Sequence, residues 1–312
     1  MDLIQISVRC RKATEIKIKF CSASKQPLMK NGPSLIVGGI ILHRIINDYE
    51  SPVYVLNRKL HELPFVISIP HSGVCITDIM ERNLKNDAIL ANMDWYLPEL
   101  YDFLENMGFT VVINRMSRYV IDPNRDLTGG KQHDYTKALI YEKTTFGRDM
   151  YKCSLSAEEI QARIDIFYKE YHQTLYDLIL EKQKYFDTVY LLDLHSFGKE
   201  IGTDVVLGNN DGKSMNKSLT LHIKGLFSAN HFNVSLNRPF RGGYIVRHYG
   251  CAHERCESLQ IELAYRTYIE KKNFGEEELP HIDTCTMQDC RNKLRRIFGD
   301  LKHDILTASR VI

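Results

Sequence analysis

No C-x-x-C pair occurs in this chain, although it holds eight cysteines, so neither a zinc ribbon nor a thioredoxin-like redox motif is present. Cys10, Cys21, Cys75, Cys153, Cys251, Cys256, Cys285 and Cys290 are scattered. Their even number permits disulfides. In a chain of 312 residues without an export signal at residues 1–5, reduced thiols and a cytoplasmic location are the expectation. Long apolar runs are missing near the N-terminus, where residues 35–42 form the longest and are too short to span a bilayer. Charge of one sign is missing as well. The 41 basic and 39 acidic residues leave a net charge of +2, which gives no general attraction to nucleic acid or acidic membranes. No stretch rich in Pro, Gly or Ser divides the middle of the chain, so one main domain is expected. With 44% hydrophobic and 26% charged residues, the chain can bury a sizeable core.

What is there is organised around residues 189–198. Tyr190-Leu191-Leu192-Asp193-Leu194-His195 reads as a buried strand opening into Ser196-Phe197-Gly198. In open α/β sheets ligands collect outside the carboxyl ends of the strands, and the period of two puts Asp193 and His195 on one side. An imidazole beside a carboxylate there can ligate a metal, carry a proton or simply rest in a hydrogen bond. Phe65-Val66-Ile67-Ser68-Ile69-Pro70 repeats the pattern and is followed at once by His71-Ser72-Gly73. A third apolar strand, Ser258-Leu259-Gln260-Ile261-Glu262-Leu263, puts Gln260 and Glu262 on one face. A carboxylate so placed is costly to bury unless it is paired or working, which makes Glu262 a candidate base.

Between these strands, Asp94 precedes Leu97, Leu100, Tyr101 and Leu104 at helical spacing and reads locally as a helix cap, with Gly108 as the stop. Residues 110–113 read as a strand. Residues 115–125 then gather Arg115, Arg118, Asn124 and Arg125, whose planar groups match a carboxylate. Pairing of the arginines with Asp122 or Asp126 explains the cluster equally well. Ser156 with Glu159 makes a capping box, Leu155 with Ile160 a hydrophobic staple, and an apolar stripe carries the helix to about Phe186. Residues 204–208 read as a strand, 218–227 as a helix and 287–305 as a long C-terminal helix. Paired Gly242 and Gly243 precede what reads as a strand carrying Arg247 and His248, where a flexible loop could lay polar groups on a ligand, although a surface hairpin explains the glycines too. Residues 1–55, with a basic strand-like stretch at 16–20, form an N-terminal extension without assigned function, expected to pack on a main domain of residues 56–312. The alternation implies an α/β fold with a mixed, mostly parallel central sheet flanked by helices.

Taken in order, these segments resemble the N-formylglutamate amidohydrolase family over roughly residues 65–269. The resemblance rests on Pro70-His71-Ser72-Gly73, Asp94-Trp95, Ser117-Arg118-Tyr119-Val120-Ile121-Asp122-x-Asn124-Arg125, His195-Ser196, Arg241-Gly242-Gly243-Tyr244-Ile245-x-Arg247-His248-Tyr249-Gly250 and Gln260-Ile261-Glu262-Leu263. That family is similar to the zinc carboxypeptidases, which implies a zinc-carboxypeptidase-like (phosphorylase/hydrolase-like) fold. The resemblance implies a zinc ion held by His71, His195 and a carboxylate. Where those peptidases carry a glutamate three residues after the first histidine, this chain has Val74, so Asp94 is the implied third ligand and Asp193 its competitor.

Two imidazoles and one carboxylate leave zinc an open position, where water becomes acidic enough to react near neutral pH. The resemblance then implies Glu262 as the base, Arg118 as the group facing the oxyanion, Asn124 and Arg125 as the substrate-carboxylate clamp, and Arg247 and His248 as pocket lining. The implied partner is a small N-acyl amino acid, and the implied reaction is hydrolysis of N-formyl-L-glutamate to formate and L-glutamate. The same machinery acting on another N-acyl amino acid or a short peptide, and an inactive carboxylate-binding protein of the same fold, remain open alternatives.

Overall fold

The computed structural model describes residues 51–129, 137–252, 255–269 and 282–308, with the backbone of the short strands Val8–Cys10, Leu35–Val37, Ile40–Leu42 and Lys131–Gln132. The stretch at 16–20 lies outside the described residues. Seven strands form the main sheet: β1 (Val53–Leu56), β2 (Phe65–Ile69), β3 (Thr110–Asn114), β4 (Val189–Phe197), β5 (Val205–Gly208), β6 (Val234–Leu236) and β7 (Cys256–Ala264), in the order β6-β5-β7-β4-β2-β3-β1. The pairs β3/β2, β2/β4, β4/β7 and β5/β6 are parallel, while β5/β7 and β1/β3 are antiparallel. The sheet is therefore mixed and mostly parallel, as the alternation of elements implied. The domain boundary expected near residue 55 falls inside β1, an edge strand of this sheet.

Strands β2 and β3 are buried at all five positions, which is why their sequences read as continuous apolar runs: a parallel strand is covered on both faces. Val66, Val112, Val189 and Leu191 pack against Tyr171, Leu175, Leu178 and Ile179 of one helical layer. Phe65, Ile67, Leu192 and Leu194 face the opposite layer with Leu97, Leu100 and Phe298. The period of two thus sends alternate residues into two cores and makes a three-layer α/β/α domain.

Helix α1 (Ala157–Arg163) opens on Ser156, whose hydroxyl accepts the Glu159 amide at 3.1 Å, and it continues through a π-helical turn, Ile164–Tyr168, into α2 (Lys169–Lys182). Helices α3 (Lys217–Ala229), α4 (Tyr244–Ala252) and α5 (Thr284–Ala308) complete the layers. One expectation fails here. The segment carrying Arg247 and His248 is the helix α4, not a strand, because Ile245, Val246 and Tyr249 recur at helical spacing and bury one face while Arg247 and His248 stay exposed on the other.

Candidate metal centre and active site

Three parallel strands place the polar cluster. Register puts Asp193 beside Ser68 on one side and Gln260 on the other, and His195 beside Glu262. By strand alternation these groups share the α2-facing side of the sheet with Val66 and Leu191. His71 follows β2 past Pro70, at the same carboxyl edge. The turn after it requires Gly73, since a Cβ there would stand 2.3 Å from the Arg115 carbonyl carbon.

Asp94 reaches the cluster from the loop between Leu90 and Leu97. The local reading as a helix cap is corrected: Tyr96, with φ 58°, is the residue at the helix start, and the Asp94 carboxylate points instead to the histidines. The loop is tied on all sides. Asp94 N–H donates to His71 O at 3.2 Å, Ser72 Oγ donates to Asp94 O at 2.6 Å, and Tyr119, Tyr265 and Tyr268 donate their hydroxyls to Ala91 O, Met93 O and Trp95 O.

The two imidazoles have matching surroundings. Their centroids lie 4.8 Å apart, and both Nδ1 atoms face Asp94 Oδ2, at 2.9 Å from His195 and 3.6 Å from His71. Each Nε2 is held by a different carboxylate, Asp122 Oδ1 at 2.6 Å for His71 and Asp193 Oδ2 at 2.8 Å for His195. Asp193 therefore sits behind His195, on the ring nitrogen away from Asp94. Asp193 is itself fixed by the Ser68 hydroxyl at 2.6 Å, which lies 2.8 Å from the Tyr171 hydroxyl on α2. His71, Asp94 and His195, all buried, offer ligand atoms within 4.8 Å of one another and could hold a metal ion.

The donor chemistry fits that reading. Two ring nitrogens and a carboxylate oxygen converge, while carboxylates behind both rings fix the tautomers that leave Nδ1 free for a cation. Charge agrees. Asp94, Asp122 and Asp193 are buried together and the nearby fixed cations are Arg118 and Arg125, so the cluster is short of positive charge. Without a bound cation His195 makes up part of the difference. Burial pulls the His195 imidazole down, but Asp193 and then Asp94 outweigh it and raise it well above the usual range. Burial likewise opposes ionisation of Asp94 and Asp122, yet the histidines beside both, and the arginines beside Asp122, hold these carboxyls below the ordinary range. A divalent cation on the Nδ1 face would take over that compensation and release the His195 proton.

Around the cluster, Asp122 Oδ2 accepts Arg118 Nη2 at 2.7 Å and the Tyr141 hydroxyl, and Arg125 Nη1 lies 3.8 Å away. Of the clustered arginines, Arg118 and Arg125 thus pair with Asp122, while Arg115 Nη1 donates to Ser51 O at 3.3 Å. Asn124 is drawn inward: its Oδ1 accepts the Ile245 amide at 2.9 Å, and Nδ2 lies 3.2 Å from His195 Nε2. Gly243 makes room for it, since a Cβ there would fall 2.2 Å from Asn124 Nδ2. Glu262 Oε1 accepts Gln260 Nε2 at 2.7 Å, and Gln260 Oε1 accepts the Gly243 amide at 2.6 Å. Burial pushes the Glu262 carboxyl up to about 8 against the pull of His195 and Arg118. Arg247 and His248 stand at the rim, where Arg247 Nη1 donates to Gly242 O at 2.7 Å and the His248 ring stacks on Tyr244.

Sequence reasoning missed four supports: Asp122 behind His71, Tyr141 beside Arg118, and Ser68 with Tyr171 behind Asp193. Ser68 carried a signal, a hydroxyl inside an otherwise apolar strand. Tyr141 carried none, because only the fold brings its short strand, Ile140–Tyr141, to Arg118.

Fold and site together define an α/β protein with a buried His/Asp/His cluster, able to hold a metal ion, at the carboxyl edge of a mostly parallel sheet. The sequence profile of the N-formylglutamate amidohydrolase family matches residues 63–269. An N-formylglutamate deformylase of Pseudomonas aeruginosa is 31% identical to the chain over 230 residues, and one of Pseudomonas putida is 32% identical over 229, each match covering 70% of this chain and 86% of the relative. The crystal structure of N-formylglutamate amidohydrolase from Ralstonia eutropha JMP134 shares the fold, with a TM-score of 0.61 at 22% identity over 80% of this chain and 98% of that one. The chain belongs to the N-formylglutamate amidohydrolase family.

Proposed function

We propose that the chain is a zinc-dependent amidohydrolase that converts N-formyl-L-glutamate and water to formate and L-glutamate. The observation that carries this reading is the paired arrangement of His71 and His195, each turning Nδ1 to Asp94 and Nε2 to a separate carboxylate, with Glu262 on the neighbouring strand. Bound by His71, Asp94 and His195, a zinc ion would supply Lewis acidity to the formyl carbonyl and lower the pKa of a water molecule.

The chain's own residues do the rest. Glu262, whose carboxyl burial raises in the metal-free chain, takes a proton from water and returns it to the departing amine nitrogen. Gln260 holds its Oε1, so Oε2 is the oxygen left to exchange that proton. Arg118, fixed on Asp122 and Tyr141, faces the oxygen that becomes negative when water adds to the formyl carbon. Arg125 receives a substrate carboxylate beside Asn124, and at the rim Arg247 offers positive charge, and His248 a ring nitrogen, to the other one. The products are formate and an amine once the carbon–nitrogen bond breaks.

Formate release tests the assignment. N-formyl-L-glutamate is expected to be cleaved with a kcat/KM at least about tenfold above N-acetyl-L-glutamate and N-formyl-L-alanine. Preference for a short peptide or for the acetyl compound would contradict it.

A further inference from the structure

Helix α2 and the turn before it present to the site two side chains that no step above uses. His172 stands where residues 123–125 meet α4. Its Nε2 lies 2.9 Å from Pro123 O, and a carbonyl oxygen only accepts, so Nε2 carries the hydrogen. Its Nδ1 lies 3.0 Å from the Tyr249 hydroxyl of α4, which also lies 2.9 Å from His172 O. Burial brings this imidazole down to about 4, so near neutral pH the ring is neutral, and its Nδ1 and His172 O compete for the single hydrogen of the Tyr249 hydroxyl. One turn earlier, the Tyr168 hydroxyl donates to Arg125 O at 2.8 Å, and the Tyr168 and His172 rings lie 4.3 Å apart.

The carbonyls on either side of Asn124 are therefore held from one helical run, and the same imidazole grips α4, which carries Arg247 and His248. A core histidine needs only some partner for each nitrogen. Here the two partners belong to the two separate segments that bring positive charge to the site.

We propose that His172 and Tyr168 are positioning residues for substrate binding, which hold Arg125 and α4 in the register where both face the carboxylates of one dicarboxylic N-acyl amino acid. The inference rests on the function proposed above, since Arg125 and Arg247 are the groups being aligned. Neither residue touches reacting atoms.

The test compares zinc-loaded wild type with His172→Leu, His172→Gln and Tyr168→Phe, using N-formyl-L-glutamate as substrate. The expected result is a KM raised roughly tenfold in His172→Leu and about threefold in Tyr168→Phe, with kcat within about twofold and zinc stoichiometry unchanged. His172→Gln, whose amide can reach Pro123 O, is expected to recover most of the KM lost in the leucine variant. An unchanged KM in His172→Leu and Tyr168→Phe, a fall confined to kcat, or a glutamine variant no better than leucine would overturn the proposal. Should His172→Leu fail to fold, Tyr168→Phe, which keeps the ring and loses only the hydroxyl, decides the matter. Absence of formate release by the wild type would overturn the functional reading and this proposal with it; release by the wild type with unmoved KM values overturns this proposal alone.

Discussion

The inner and outer halves of the site are built differently. The inner half, His71, Asp94, His195 and Glu262, sits at strand ends or on a loop tied to them, is buried, and has its imidazoles backed by Asp122 and Asp193. The outer half, Arg125, Arg247 and His248, sits on a loop and a helix and reaches toward solvent, with Arg247 and His248 exposed. Strand register fixes side chains closely enough for proton transfer and metal ligation, whereas a loop and a helix face can vary in what they hold. On the proposed function, the inner half carries the chemistry and the outer half the choice of substrate.

Substitutions should divide along the same line. The largest effect is expected from His195→Ala, which removes a nitrogen of the proposed metal site: metal content by elemental analysis falls and formate release drops by about four orders of magnitude or more. Glu262→Gln should keep the metal and lower kcat by about two to four orders of magnitude, because only the proton carrier is lost. Full turnover in that variant would remove Glu262 from its role. Asp122→Asn and Asp193→Asn act behind the rings and should weaken metal affinity about 10- to 100-fold, read by competition with a chelator. In the outer half, Arg125→Ala should raise KM by about tenfold with a smaller change in kcat, and an unchanged KM would erase the distinction between the halves.

The smallest effect concerns stability of the metal-free protein. Glu262 titrates higher in the folded chain than it would unfolded, so the folded state binds more protons between the ordinary glutamate range and about pH 8. Its contribution is fully present below that range and is lost as pH rises through about 8. Melting temperatures of chelated wild type should therefore fall relative to Glu262→Gln across that window, and parallel curves would contradict the burial of an ionisable Glu262.

The inner half was also the more legible in sequence. Asp193 and His195 two apart on an apolar strand, and Gln260 with Glu262 on another, follow from the period of two, and the register bears out both faces. His71 was legible because proline and glycine bracket it at a strand end. Asp94 was not legible from local signals, which favour a helix cap; its place depends on three tyrosines from distant segments. Asp122 read as an arginine partner, which it is, but its bond to His71, 51 residues away, exists only in the folded sheet. The outer half misled more. Two glycines before Tyr244 suggested a strand, whereas the sequence that follows buries Ile245, Val246 and Tyr249 at helical spacing.

Metal content measured together with formate release from N-formyl-L-glutamate, before and after chelation, tests the central claim most directly. About one zinc ion per chain, with release abolished by the chelator and restored by zinc, is the expected result. Release that persists in metal-stripped protein, or no release with zinc fully bound, would contradict it.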